Sequence, residues 1–479
     1  MSQLHAAFSS ERFKESAHQI VELLSRFLEQ TKDQSTRVID FHSPDETLEY
    51  WRNYSVEDLG SYVNDVIKGS IKVHHPHYIG HQVSAPLPEL ATLGLVTDLL
   101  NNGMGVYEMG SAATAMERIV IEDIAEHIGL EHADGFLTSG GTLGNLTALL
   151  AARSRARETH IDSDMYILVS EETHYCAQKA AVTMGFRPDQ IVEISTDSSY
   201  RMDISDLQEQ MSKLAQNDKC IMSVVASACT TSTGSYDDLI AIKNLCLQHR
   251  TWLHVDGAHG GAVIYSEKYK HLIDGLDSAD SIVIDMHKML MVPALATAVI
   301  FANGKDSYRS FEQKAAYLFA QQEHEWYNLA KRTYETTKLM MSVKCFYLIK
   351  KIGHAVMAEF LDRQHDLTRW FARYLVEERT EWEIAHWPMS NILCFRYTPA
   401  SFREEELEYL NRAIRNQLLD EGQYYIVQTV LRGTYYLRIT LMSPMTSQTH
   451  LQTLCDHIEE LATHIITEHA AYLPALTDV

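Results

Sequence analysis

Between Tyr166 and Phe301 the chain repeats one pattern, a short apolar run followed by a stretch of helical character. The runs are Tyr166 to Val169, Ile221 to Ala226, Trp252 to Val255, Ser281 to Ile284 and Ala298 to Phe301. A strand covered on one face alternates apolar with polar residues, whereas these runs do not alternate, as expected of strands covered on both faces. Asp237 to His249 is one of the helical stretches between them. Strands alternating with helices predict an α/β fold whose central sheet is mostly parallel and covered by helices. A chain of 479 residues has room for two or three domains around such a sheet.

The flanks have different rhythms. Residues 12 to about 70 read as helices, with Ile20, Leu23, Leu24 and Phe27 at helical spacing. Ser43-Pro44-Asp45-Glu46 has the form of a helix start. His74 to Pro88 carries three prolines and reads as a connector. From Ser342 a long helical stretch runs through Arg373. Shorter strands follow, clearest at Asn391 to Arg396 and Tyr435 to Leu441, separated by helices over Glu404 to Asp420 and Thr449 to Ala471. The predicted division is a helical N-terminal segment with connector (1–84), a large α/β domain (85–345) and a smaller α+β C-terminal domain (346–479).

Charge and cysteine usage narrow the function classes. The formal net charge of −23 repels phosphate backbones and anionic lipid, so neither nucleic acid nor membrane is an expected partner. No segment approaches the roughly 20 apolar residues that span a bilayer. Met1 to Glu11 lacks a basic start leading into an apolar run, so no signal peptide is expected, and the expected location is the cytoplasm. Seven cysteines are scattered without a C-x-x-C pair, which favours free thiols in a reducing compartment. His74, His75, His77 and His81 match no zinc spacing, and His324-Glu325 lacks the second histidine of a zinc-protease motif, so no metal is expected.

Four segments carry chemistry. Thr138-Ser-Gly-Gly-Thr-Leu-Gly-Asn145 is a glycine-rich turn leading into a helical run. Free N–H groups and the helix dipole suit phosphate there, with Gly140 and Gly141 permitting close approach and Thr142 offering a hydroxyl; a plain helix cap is the alternative. The turn lacks the G-x-x-x-x-G-K-[ST] of nucleoside triphosphate loops. Asp256 ends the apolar run Trp252 to Val255, where ligands gather in open α/β sheets. A buried carboxylate wants a positive partner, such as a protonated pyridine nitrogen, or else caps the next turn. Lys288 follows Ser281 to Ile284, and desolvation there would lower its pKa and leave it nucleophilic enough for a Schiff base; snorkelling to solvent is the alternative. His174 follows the run at Tyr166, placed to lie flat over an aromatic ligand or to serve a structural role.

The order glycine-rich turn, histidine, aspartate, lysine resembles the group II pyridoxal-phosphate amino-acid decarboxylases, the family of glutamate, aromatic-amino-acid and diaminobutyrate decarboxylases. Further similarities are His75-Pro-His-Tyr78 to the family's substrate-side connector and Ser111 to Arg118 to its Ser-Pro-Ala-x-Thr-x-x-Glu segment. Thr230 to Ser235 is similar to its threonine-rich stretch, Ala316 to Phe319 to the lead-in to a mobile loop, and His287-Lys288 to its characteristic dipeptide. The resemblance implies a fold-type-I enzyme using pyridoxal 5'-phosphate to remove the α-carboxylate of an L-amino acid and release a primary amine. It implies that Lys288 holds the cofactor in a Schiff base, Asp256 pairs with the pyridinium nitrogen and His174 stacks on the ring. Gly140, Gly141 and Thr142 would hold the phosphate, with Thr231 near the ring and His287 near the phosphate. The loop from Gln321 to Arg332 would close over the site, with Tyr327, or else Tyr334, protonating the carbanion. His75, His77, Tyr78 and His259 would border the substrate. A homodimer whose subunits complete each other's sites is implied as well.

The chain departs from the family pattern at three places. Met289 stands where tryptophan is usual, Gly257 and His259 stand within an Asp-Ala-Ala-Tyr motif, and Lys331 replaces a glycine before the arginine that follows the loop. The first two touch the pocket wall. Aspartate, glutamate, 2,4-diaminobutyrate and the aromatic amino acids all stay open as substrates. An aminotransferase or a carbon–carbon lyase on the same fold is the alternative enzyme, and a non-catalytic scaffold is the alternative outside catalysis.

Overall fold

The computed structural model describes residues 2–311, 325–400 and 402–472 and resolves into two compact units. One comprises Gln82–Arg369 with His386–Ile392, and the other Met1–His81, Trp370–Ala385 and Leu393–Val479.

The first of these holds a seven-stranded sheet of β1 (Asp134–Thr138), β2 (Met165–Ser170), β3 (Ile191–Ile194), β4 (Cys220–Ser227), β5 (Trp252–Asp256), β6 (Ser281–Asp285) and β7 (Thr297–Phe301). The order is β1-β7-β6-β5-β4-β2-β3. β7 runs antiparallel to β6 and β1, and the pairs β6/β5, β5/β4, β4/β2 and β2/β3 are parallel. Every residue of β4, β5, β6 and β7 is buried, which explains the absence of polar alternation. The helix Gly141–Ala156 packs so closely on the sheet that a Cβ at Gly144 would lie 3.2–3.3 Å from Val299, Thr297 and Val283. Six strands therefore send their carboxyl ends to one side, with β7 opposed. Open α/β sheets bind ligands on that side.

The other unit carries an antiparallel sheet of β8 (Trp382–Ile384), β9 (Ile392–Tyr397), β10 (Val427–Leu431) and β11 (Thr434–Thr440), in the order β10-β11-β9-β8. Its helices include Ser10–Lys32, Pro44–Arg52, Glu404–Glu421 and Gln448–Tyr472. Ser43 and Glu46 form the capping box that starts the second of these, as the sequence indicated.

The N-terminal helices are not a separate segment. Val38 N–H donates to the Gly422 carbonyl at 2.9 Å, Tyr425 N–H to His77 at 3.1 Å and Thr440 N–H to Ile79 at 2.7 Å. Backbone groups of the connector are thus satisfied by the C-terminal part, and the two ends of the chain form one unit. The division differs from the three consecutive domains expected, and its border falls at Arg369 rather than residue 345. The helical stretch from Ser342 to Arg373 is also interrupted. Met341–Tyr347 leads into a wide turn at Leu348–Ile352, Gly353 follows at φ +88°, and the helix restarts at His354. Among the described residues no helix is long and apolar enough to cross a membrane.

Candidate active site

A cavity of about 300 Å³ opens at the carboxyl ends of the parallel strands. Lys288, Asp256, His174, Gly140, Gly141, Thr142, Thr231, His287 and His259 all line it. These residues come from five separate stretches of sequence, and each lies at or just beyond a strand end. Asn145, Cys176 and Asp285 also line the cavity, with no role foreseen for them from sequence.

The glycine-rich turn starts the helix Gly141–Ala156 with no side chain capping it. Gly140 sits at φ +108°, a conformation that favours glycine. A Cβ on Gly141 would come within 3.1 Å of Asp285 Oδ1 and 3.4 Å of Ala258. The bare backbone and the dipole of a four-turn helix together form an anion cradle.

Asp256, at the end of β5, is buried and fixed by hydrogen bonds. Its Oδ1 accepts from Ala258 N–H at 3.1 Å, and its Oδ2 accepts from Asn145 Nδ2 at 2.8 Å. The Asn145 link continues inward, and its direction follows from its ends. The Trp252 indole can only donate, and does so to Ser281 Oγ at 2.8 Å. At the other end the Asn145 amide nitrogen donates to Asp256 Oδ2, which turns Asn145 Oδ1 to His254 Nε2, 2.8 Å away. His254 therefore carries its proton on Nε2, and its Nδ1 accepts from Ser281 Oγ at 2.8 Å. Complete burial lowers the His254 pKa to about 4, against a smaller opposing effect of Asp256, and keeps the ring neutral as this chain requires. Cys176 adds its thiol at 3.6 Å from Asp256 Oδ2. Burial first, then the nearby carboxylate, push that thiol's pKa well up, so it stays protonated and can donate.

Lys288 follows β6 and is 22 % exposed, with Nζ 3.0 Å from Asp285 Oδ2. Asp285 also accepts from Thr297 Oγ1. Sequence reasoning expected desolvation to lower the Lys288 pKa. Burial does act in that direction, but the Asp285 and Asp256 carboxylates together outweigh it, and the net shift is upward. The lysine is thus held as an ammonium by two acids that the sequence did not reveal as its neighbours. His174 has its pKa lowered, by burial first, with Asp256 opposing and Lys288 assisting. A neutral imidazole results. His287 donates from Nδ1 to the Ala296 carbonyl at 2.9 Å, which fixes its ring.

His259 is buried, with Nε2 2.8 Å from Asn391 Oδ1, and Asn391 Nδ2 lies 3.3 Å from Met289 Sδ. The two pocket-wall departures noted in the sequence, His259 and Met289, are therefore joined through one asparagine.

The remaining expected residues lie elsewhere. His75, His77 and Tyr78 belong to the unit with the small sheet. There His77 stacks on Tyr424 at 4.0 Å and donates to the Gln423 carbonyl, and Tyr78 stacks on Tyr425 at 5.8 Å. Burial lowers the pKa of both His75 and His77 to about 4. Tyr327 does not line the cavity; its ring meets Tyr107 edge-on at 5.3 Å and Trp326 at 5.9 Å. Tyr334 is 66 % exposed. Ala316 to Phe319, Gln321 and His324 lie outside the described residues, as do the first four residues of the loop expected to close the site.

The donor set fits pyridoxal phosphate. An uncapped glycine-rich helix start suits the phosphate, a buried and rigidly held carboxylate suits a protonated ring nitrogen, and a lysine amine stands in the same cavity. This combination on a mostly parallel sheet defines a fold-type-I pyridoxal-phosphate enzyme. The description "Pyridoxal-dependent decarboxylase conserved domain" matches residues 46–398, and the chain belongs to that family. It is 26 % identical to the acidic amino acid decarboxylase GADL1 of Xenopus tropicalis, over 95 % of this chain and 93 % of that one. It is 27 % identical to the aspartate 1-decarboxylase of Aliivibrio fischeri, over 85 % and 83 %. The crystal structure of mouse CSAD superposes with a TM-score of 0.86 at 22 % identity, covering 95 % of this chain and 99 % of that one. The protein is a pyridoxal-phosphate-dependent amino-acid decarboxylase.

Proposed function

We propose that Lys288 carries the cofactor, that Asp256 and His174 act on its ring, and that the substrate is an L-amino acid converted to its primary amine. The observation that carries this reading is the meeting of Lys288, Asp256 and the uncapped helix start in one cavity. Bound pyridoxal phosphate supplies an electron sink for the electron pair left when carbon dioxide departs. Asp256 keeps a proton on the ring nitrogen by presenting an oriented carboxylate, held by Asn145 and Ala258. Gly140, Gly141 and Thr142 hold the phosphate, with His287 beside them and Thr231 near the ring. Lys288 must lose a proton before its nitrogen can form a bond, and Asp285 Oδ2 at 3.0 Å is placed to receive it. Neutral His174 would sit beside the ring without adding charge near the departing carboxylate. His259, which lines the cavity, borders the substrate side chain.

Tyr327 is assigned as the proton donor to the carbon that loses its carboxylate, acting in the site of a second copy. Its ring rests on Tyr107, beside the exposed Val106 and Met109. The nearby helix Pro88–Leu100 exposes Leu95, Val96, Leu99 and Leu100. Exposed apolar clusters of this kind mark interfaces, and a two-fold homodimer would cover them. The seven free, buried cysteines suit a reducing compartment and support a cytoplasmic location.

The test is a panel of aspartate, glutamate, 2,4-diaminobutyrate and aromatic amino acids, with carbon dioxide and amine measured on the holoenzyme. Acidic amino acids are the first to test, a choice that the names of two relatives, acidic amino acid decarboxylase and aspartate 1-decarboxylase, support. Lys288→Ala should abolish turnover together with the cofactor's lysine-linked absorption band. Tyr327→Phe should keep the band and lose amine formation, while Tyr334→Phe stays active. Keto acid in place of amine would replace this reading with transamination.

A further inference from the structure

We propose that Asp123, His127 and His354 form a zinc site outside the cofactor cavity. Asp123 and His127 stand one turn apart on the helix Ser111–Ile128, so their side chains share a face. His354 opens the helix His354–Arg373. One ligand atom from each of the three lies within 4.8 Å of the others.

The spacings fit a tetrahedral ion. His354 Nε2 is 2.9 and 3.2 Å from the two Asp123 carboxylate oxygens, and His127 Nδ1 is 3.6 Å from Oδ2. Ligands bound about 2.0–2.1 Å from zinc in a tetrahedron stand roughly 3.3 Å apart. The carboxylate-to-imidazole distances straddle that edge. The two imidazole rings lie 4.4 Å apart at 62°, both turned to one carboxylate. His354 Nε2 donates to the Asp123 carboxylate and His127 Nδ1 to the Asp123 carbonyl, so both ring nitrogens already face the residue that would join them at an ion.

The surroundings have the form of a supporting shell. Tyr265 is buried, donates its hydroxyl to Asp123 Oδ2 at 2.9 Å and stacks on His354 at 5.2 Å with a 13° tilt. One residue thus orients two of the three ligands, a common arrangement around bound metals. Lys270 Nζ, the neighbouring cation, donates to the His127 carbonyl and not to Asp123. The side chains of Asp123, His127 and His354 are 11 %, 26 % and 40 % exposed, which leaves a path for the ion and for water as fourth ligand. Two imidazoles with one carboxylate favour zinc over magnesium or calcium, which prefer oxygen. Binding would replace the hydrogen that His127 Nδ1 shares with the Asp123 carbonyl at 2.8 Å, and the His354–Asp123 hydrogen, by bonds to the metal.

The experiment is titration of zinc chloride into chelator-treated holoenzyme by calorimetry. Bound cofactor occupies the cavity containing His174, Cys176 and Asp256, the other group with metal-ligand character. The expected result is one zinc per chain, weakened roughly tenfold or more in both His127→Ala and His354→Ala, and less so in Tyr265→Phe. Cobalt(II) should give the intense visible bands of a tetrahedral site in the wild type and not in the two histidine variants. Circular dichroism and an unchanged cofactor band check that each variant is folded, and His354→Gln serves if His354→Ala is not. Absence of stoichiometric zinc would overturn the proposal, as would equal binding in wild type and both variants, or loss in only one.

Discussion

Asn145 joins the buried interior to Asp256, the carboxylate proposed to face the cofactor. Replacing it with alanine leaves Asp256 Oδ2 without its 2.8 Å donor and His254 Nε2 without its acceptor. A buried hydrogen bond to a charged group is worth about 1.5–3 kcal/mol, which corresponds to roughly 10- to 100-fold in rate if felt at the transition state. Asn145→Ala should therefore lower kcat by that factor while Lys288 still binds cofactor, as steady-state kinetics beside the cofactor spectrum would show. Histidines give the pH dependence. His254 and His365 are fully buried, and burial lowers both pKa values from 6.5 to about 4. Between those values the unfolded chain binds protons that the folded one refuses. This stability is fully present above pH 6.5 and is lost as pH falls towards 4, by up to about 3 kcal/mol per histidine. Urea unfolding at several pH values should show that decline, and His365→Gln should make it shallower.

At the scale of elements, the helix Gly141–Ala156 separates two properties that usually move together. Alanine at Gly141 improves helix propensity by up to about 1 kcal/mol, so thermal stability should hold or rise. Its Cβ would press within 3.1 Å of Asp285 Oδ1, an atom tied to Thr297. Cofactor affinity should then fall by roughly tenfold, about 1.4 kcal/mol, measurable by equilibrium titration of the cofactor. The same elements show what could be read in advance. β2, β4, β5, β6 and β7 were legible to within a residue because burial on both faces leaves an unbroken apolar run. β1 was missed because Asp134 and Gly135 dilute its run, and β3 because, of its middle residues, Val192 is half-buried and Glu193 exposed. The stop at Gly353 was visible as a glycine and was read through, since the apolar pattern resumes beyond it. In the site, residues following a strand were found one by one. Asn145 was passed over because it lies inside a helix, and Asp285 because its effect on Lys288 depends on a three-dimensional distance.

On the scale of the whole molecule, the interleaved units were not legible, because no local pattern records a backbone bond between distant segments. The exposed row Leu95, Val96, Leu99 and Leu100 carries the corresponding prediction for assembly. Leu99→Asp should shift the proposed dimer to monomer in sedimentation velocity and reduce activity with it, because each site is proposed to draw on both copies. An unchanged sedimentation coefficient would place the interface elsewhere.

The joining of the two chain ends has a consequence in time. Thr446 Oγ1 donates to the Pro76 carbonyl at 2.7 Å, across 370 residues. A ribosome adding about 5–20 residues per second needs on the order of 20 to 70 s to cover that span. Throughout that interval the connector and the helices before it have emerged without the partners that bury them, although the central sheet is already complete. The connector of a newly made chain is therefore vulnerable until the segment around Thr446 follows it.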